Sequence, residues 1–160
     1  VADWRRAMAA DAPAIATLAR AGLGAYGEAA ELYAERIALA PDGCFVLTDG
    51  DAILGHCISH PWMRFAPPAM HTTLGAIPAA ADCWYLHDVV VAPEGRGEQA
   101  VERLLPTLAA NAADQSIATL ALIAVGGADG YWARQGFVAV PGGAAGFGDD
   151  AVYMERAVKG

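Results

Sequence analysis

Hydrophobic and polar positions along the chain switch between a helical and an extended period several times. "WRRAM", Trp4 to Met8, is short enough for a strand, and Asp11 then offers an N-cap with Pro13 tolerated in the first turn. Ile15, Leu18, Ala19 and Gly22 fall at i, i+3, i+4 and i+7, which predicts a helix. "GLGAYG" breaks that pattern, and a second helix is expected from about Glu28 to Leu39, closed by "PDG". "CFVLTDGDAILGHCIS" reads as a hairpin, with strands Cys44 to Thr48 and Ala52 to Ser59 and a turn at Asp49 and Gly50. "HPWMRFAPPAMHTTLGAIPAAAD" holds four prolines and no strong period, so it is expected to be a long irregular connection of the kind that often carries function.

From Cys83 the pattern changes. "CWYLHDVVV" is nearly continuous in apolar residues, as expected of a central strand covered on both faces. "EQAVERLLPTLAANAAD" follows as a helix with Val101, Leu104, Leu105 and Leu108 on one face, and Pro106 is expected to kink it. "IATLALIAV" is a second buried strand, so strand, helix and strand form a right-handed parallel crossover. A short helix "ADGYWARQ", the reversal "GF", the glycine-rich "PGGAAGFGDD" and a last strand "AVYMERAV" complete the chain. The expected order is β-α-α-β-β-β-α-β-α-β-β, an α/β domain over residues 1–160 with a mixed central sheet and helices on both faces.

Composition narrows the partners. The chain has 10 Lys plus Arg against 18 Asp plus Glu, a net charge of -8, which leaves little basic surface for nucleic acid. The hydrophobic content of 56% is rich in alanine, and no apolar run reaches the ~18 residues of a membrane span. "VADWRRAMAADAPA" lacks the pattern of a secretory signal, and three cysteines without C-x-x-C spacing (Cys44, Cys57, Cys83) suggest a reducing compartment. A cytoplasmic protein is expected. Among the histidines, His56 and His60 would stand roughly 13 Å apart at ~3.3 Å per residue, too far to share one metal ion, so no metal is expected. The oligomeric state stays open, a homodimer being one option.

The turn "APEGRGEQAV" leads from the central strand into a helix, and such a helix N-terminus favours anions. Read from Gly95, "GRGEQA" matches G-x-G-x-x-A, but the acid that a dinucleotide ribose requires at the end of the next strand is missing, because that strand ends "IAVGG". The same residues also read as an ordinary strand-to-helix turn. Read from Arg96, the chain resembles the GNAT superfamily of N-acetyltransferases. "VVV" fits the end of that family's fourth strand, "RGEQAV" falls on its pyrophosphate loop R/Q-x-x-G-x-G/A, and "ADGYWARQGF" stands for its A-x-x-F-Y-x-x-x-GF element. "HPW" and "YLHDVVV" are similar to one bacterial subgroup. The resemblance covers almost the whole chain, with two departures: Gln99 and Val101 stand where the family has small residues, and their side chains crowd the approach to a phosphate oxygen.

The resemblance implies acetyl-CoA as co-substrate, bound by Val89, Val90, Val91, Arg96, Gly97, Glu98, Gln99, Ala100, Val101 and Tyr131. It implies transfer of the acetyl group to a primary amine of a small molecule or a peptide N-terminus. An alkylammonium with a pKa near ~10.4 must lose a proton before it attacks. Asp88 is the favoured base and His87 the alternative, and strand alternation puts their side chains on opposite faces. By resemblance, the Val89 N–H would bond the acetyl carbonyl. Trp132 occupies the slot of the family's general-acid Tyr, beside Tyr131, and an indole N–H donates a hydrogen bond but no proton. "HPWMRF" either walls an acceptor pocket or is plain packing; Asp149, Asp150 and Glu28 either attract a cationic amine or are simply solvated. The alternative to an enzyme is a non-catalytic module that binds a ligand or protein partner in the same cleft.

Overall fold

The structure is a computed structural model that describes residues 2–144 and 146–159. Strand β1 (Asp3–Arg6) is followed by helices α1 (Ala12–Leu23) and α2 (Ala30–Leu39), then strands β2 (Cys44–Asp49), β3 (Ala52–Trp62) and β4 (Cys83–Val91). Helix α3 (Ala100–Asp114), strand β5 (Thr119–Ala124), helix α4 (Asp129–Arg134) and strands β6 (Val138–Ala139) and β7 (Val152–Ala157) complete it. The element order is the one the sequence predicts. The strands form one mixed sheet in the order β1-β2-β3-β4-β5-β7-β6, in which β4 and β5 are parallel and the other described pairs antiparallel.

Strand alternation supplies two packing faces. Cys44, Val46 and Ile58 meet Ala12, Ile15, Ala16 and Ala19 of α1 and Tyr33 and Ile37 of α2. Phe45, Cys57, Trp84, Leu86, Leu120 and Leu122 point the other way, onto Leu104, Leu105 and Leu108 of α3 and Trp132 of α4. Helix α3 runs unbroken through Pro106, whose missing donor lies on the exposed side. The hairpin turn is one residue later than expected: Asp49 pairs with Ala52, so Gly50 and Asp51 form the two-residue loop, and Gly50 supplies the positive φ it needs.

Strand β3 is longer than its sequence suggests, taking in His60, Pro61 and Trp62. β2 stops pairing at Ile58, so beyond it β3 is bonded only to β4, and a proline is tolerated on such a locally free edge. The irregular connection therefore begins at Met63. It is tied to α2 and the segment just before it by carboxylates: Glu35 of α2 accepts from the Leu74 and Gly75 N–H groups, and Glu28 accepts from the His71 N–H.

Candidate active site

The site is organised by an irregularity in β4. Ile58 of β3 pairs with Asp88, but the next residue, Ser59, pairs with Leu86, so His87 is an extra residue in a bulge. The bulge resets the alternation. His87 and Asp88, expected on opposite faces, both direct their side chains to the α1/α2 face, His87 to Glu28 and Asp88 to Tyr33 of α2. That corrects the strand-alternation reading.

Two hydrogen-bonded chains converge there. In the first, the Glu28 backbone N–H donates to the Tyr33 hydroxyl (3.1 Å), and that hydroxyl donates to Asp88 Oδ2 (2.7 Å). His56 Nε2 lies 2.9 Å from the same oxygen. With the Tyr33 lone pair occupied by the Glu28 amide, the hydroxyl proton is directed at Asp88. His56 donates as the second partner, leaving its buried Nδ1 unpaired. Burial, the nearby Asp88 charge and the bond to it push the Tyr33 phenol far above its ordinary range.

In the second chain His60 Nε2 meets His87 Nδ1 at 3.2 Å, and His87 Nε2 meets Glu28 Oε1 at 3.1 Å. Glu28 is ion-paired with Arg36 at 2.6 Å, and both are sealed from solvent, with side-chain exposures of 1% and 0%. Burial works to raise the Glu28 pKa, but hydrogen bonds and charge from His87 and Arg36 outweigh it and hold the carboxyl at about 2. Burial and the neighbouring His87 push His60 down to about 3, and burial also lowers His87. Glu28 is thus a buried structural carboxylate rather than an exposed acid awaiting an amine. The sequence did not reveal Tyr33 and Arg36 as partners of this site; their one signal is the i, i+3 spacing that puts a charged residue on the buried face of α2.

Beyond this network the sheet opens. β4 and β5 stay paired only to Leu86 and Leu122, and β4 continues five residues further, to Val91, without β5 beside it. Two cavities occupy the divergence. One, of about 540 Å³, runs along Val89 and Val91, Arg96, Gly97 and Gln99 of the turn, Ala100, Val101 and Glu102, and Tyr131 of α4; Glu98, expected with them, lies outside its wall. The other, of about 120 Å³, has His87 and Asp88 in its wall and is bounded by Leu23 at the end of α1 and by Tyr26, Met70 and Phe147 from three different loops. Val89, Ala128 and Trp132 line both, so the two spaces adjoin at Trp132. The Tyr26 hydroxyl donates to the Phe147 carbonyl at 2.7 Å and links two of the bounding loops.

The turn before α3 is built from left-handed residues. Gly97 (φ 101°), Glu98 (φ 53°) and Gln99 (φ 54°) follow one another, and Gln99 caps the helix. A side-chain-bearing residue in that region costs ~1–2 kcal/mol. The Arg96 Nε donates to the Val91 carbonyl at 3.2 Å, which keeps its guanidinium at the edge of the larger cavity. Val101, in the first turn of α3, is partly buried against the α3-side core as well as lining the cavity. Val90 faces α1 instead, with its Cγ1 2.8 Å from where a Cβ on Gly22 would stand, so of the "VVV" segment only Val89 and Val91 line the larger cavity.

On α4, the Trp132 ring packs edge-on to Phe137 and Tyr131, and its indole N–H has no bonding partner among the described residues. The Tyr131 hydroxyl is 3.3 Å from Glu102, and burial and that carboxylate push its pKa up to about 12. The "HPWMRF" residues stand apart from the small cavity: Trp62 donates to the Ala66 carbonyl, Arg64 pairs with Glu155 and Phe65 packs on Tyr153. Its place in the cavity wall is taken by Met70. Asp150 accepts from the Gly126 N–H, and among the described residues no group of three or more His, Cys, Asp or Glu could hold a metal ion.

This architecture has many structural relatives. N-acetylglutamate synthase from Neisseria gonorrhoeae, solved with coenzyme A and N-acetyl-glutamate, superposes with a TM-score of 0.73 at 19% identity; the match covers 99% of this chain and 35% of that one, so the chain spans about a third of that protein's length. Ard1 from Thermoplasma volcanium gives 0.74 at 15% identity, covering 98% and 97%. The GphF GNAT-like decarboxylase, in complex with isobutyryl-CoA, gives 0.75 at 18% identity, covering 98% and 99%. At such identities the likeness establishes the fold alone. No curated protein matches the chain in sequence. Residues 12–137, from the start of α1 through the cavity-lining turn and α4, match the Acetyltransferase (GNAT) family. With the diverging strands and the helix-capped turn in place, the chain belongs to the GNAT acetyltransferase family.

Proposed function

We propose that the protein transfers an acetyl group from acetyl-CoA to a primary amine by direct attack. The observation that carries this reading is the junction of the two cavities at Val89 and Trp132. One side is long and ends at a helix N-terminus, and the other is small and has a carboxylate in its wall. The pantetheine arm would lie along the unpaired edge of β4, with its pyrophosphate against the Gly97–Ala100 amides and Arg96. The amine would enter the small cavity, give its proton to Asp88 directly or through water, and attack the thioester carbon. The Val89 N–H would hold the developing oxyanion. Tyr33 and His56 both occupy Oδ2 of Asp88, which makes Oδ1 the oxygen for the amine. Coenzyme A would leave as thiolate, its thiol being comparable in acidity to a cysteine at roughly 8.5, and the second proton, shed by the nitrogen as the amide forms, would pass to that thiolate or to solvent. Trp132 then shapes the wall beside the sulfur and supplies no proton.

The reading includes a cytoplasmic setting, which the three buried free thiols support. A second reading, a binding module without transfer, draws on Gln99 and Glu102, a bulky and an acidic residue, in the wall of the larger cavity. Calorimetry with acetyl-CoA and free CoA tests the proposal. Micromolar binding is expected, and an absence of binding up to millimolar concentration would remove it.

A further inference from the structure

We infer that the acceptor is a compact, apolar primary amine that carries no carboxylate; this rests on the acetyl-transfer reading above. The small cavity, about 120 Å³, is well below the ~300–1,000 Å³ of sites for drug-sized ligands. Part of it must also admit the acetyl group. Leu23, Met70, Ile123, Val125 and Phe147 give it apolar walls, and the polar side chains among its lining residues belong to Asp88, His87, Tyr26 and Tyr85.

No Lys or Arg lies among the lining residues. The nearby Arg36 is fully buried and bound to Glu28, and the Tyr26 hydroxyl proton is already given to Phe147. His87 is held by His60 at Nδ1 and by Glu28 at Nε2, so neither ring nitrogen is free to meet a ligand anion, and Glu28 already stands as the partner of any charge on the ring. An amino-acid acceptor would therefore bury its carboxylate beside Asp88 with no countercharge, a penalty that an alkylamine of the same side chain avoids.

Isoamylamine, leucinamide and leucine differ only in what replaces a hydrogen on the carbon next to nitrogen, and compared at equal concentrations of the neutral amine they isolate this effect. With acetyl-CoA saturating, kcat/KM for isoamylamine is expected to exceed that for leucine by about a hundredfold or more, with leucinamide between them. Equal or faster acetylation of leucine or leucinamide overturns the inference, as does acetyl-CoA binding with no transfer to isoamylamine. Absence of acetyl-CoA binding instead removes the transfer reading and the inference with it. Met70→Arg, at the half-buried lip of the cavity, places a cation in the wall and is expected to narrow the preference for isoamylamine over leucine at least fivefold, on the order of a single exposed-to-partly-buried charge contact. An unchanged preference would overturn the charge argument.

Discussion

The Tyr33 hydroxyl, on α2, donates a 2.7 Å hydrogen bond to Asp88 Oδ2 on β4, joining residues 55 positions apart in a fully buried contact. The Glu28 amide occupies the phenol lone pair, so this proton has a single direction. Tyr33→Phe leaves the Glu28 amide without its acceptor and Asp88 Oδ2 with His56 as its remaining donor, and it is expected to lower stability by about 1–3 kcal/mol in urea unfolding. On the catalytic reading it also removes a donor from the anionic carboxylate. kcat/KM is then expected to fall while acetyl-CoA binding is kept, and an unchanged kcat/KM would separate this bond from catalysis.

Acid is expected to destabilise the fold in two stages. The folded state keeps His60 neutral down to about 3, against an ordinary 6.5, and His87 is shifted in the same direction. The unfolded chain therefore takes up protons first, and stability falls as pH drops from about 6.5 toward 3. Glu28 is held at about 2 against an ordinary 4.5, so its contribution is present above 4.5 and is lost as pH falls toward 2. Melting temperature measured against pH checks both stages, and His60→Asn is expected to flatten the upper one.

Arg36→Met leaves Glu28 buried without its guanidinium and is expected to cost about 3–5 kcal/mol. The double replacement Glu28→Gln with Arg36→Met removes both charges and is expected to recover part of that loss. Urea denaturation of the two variants decides it. A double variant no more stable than the single one would mean that the bonds from Glu28 to His87 and the His71 amide matter more than charge balance.

Gln99→Gly places glycine at a φ of 54° and is expected to stabilise the protein by about 1 kcal/mol, roughly 2–4 °C in Tm. On the acyl-CoA reading it also clears the turn and tightens acetyl-CoA binding in calorimetry. The same change at Val101 is not equivalent, because Val101 packs against the α3-side core from within the helix and its loss costs apolar contact. A fall in Tm for Gln99→Gly would show that its side chain contributes more than its backbone strain costs.

Trp132→Phe is expected to keep kcat within about tenfold, since the indole supplies no proton, whereas Asp88→Asn is expected to lower kcat and alter its pH profile. A thousandfold loss in Trp132→Phe, ~4 kcal/mol of transition-state stabilisation, would assign the indole N–H a part in the reaction.

The sequence by itself determined the order of elements, because apolar periodicity and turn residues are local signals: "CWYLHDVVV" and "IATLALIAV" read as central strands without reference to any partner. It also marked the turn before α3, where glycine and a helix start lie close together in the chain. Only the tertiary structure decided which way His87 and Asp88 point, since the bulge that unites them depends on the register between β3 and β4, set by pairing and not by β4 alone. Likewise, whether Glu28 is solvated or sealed depends on Arg36 eight residues on and His87 from another strand. The small cavity takes its walls from Tyr26, Met70 and Phe147, on three loops distant in sequence, and no local pattern announces that they meet. Where a property depends on who the neighbours are, folding has to bring them together first.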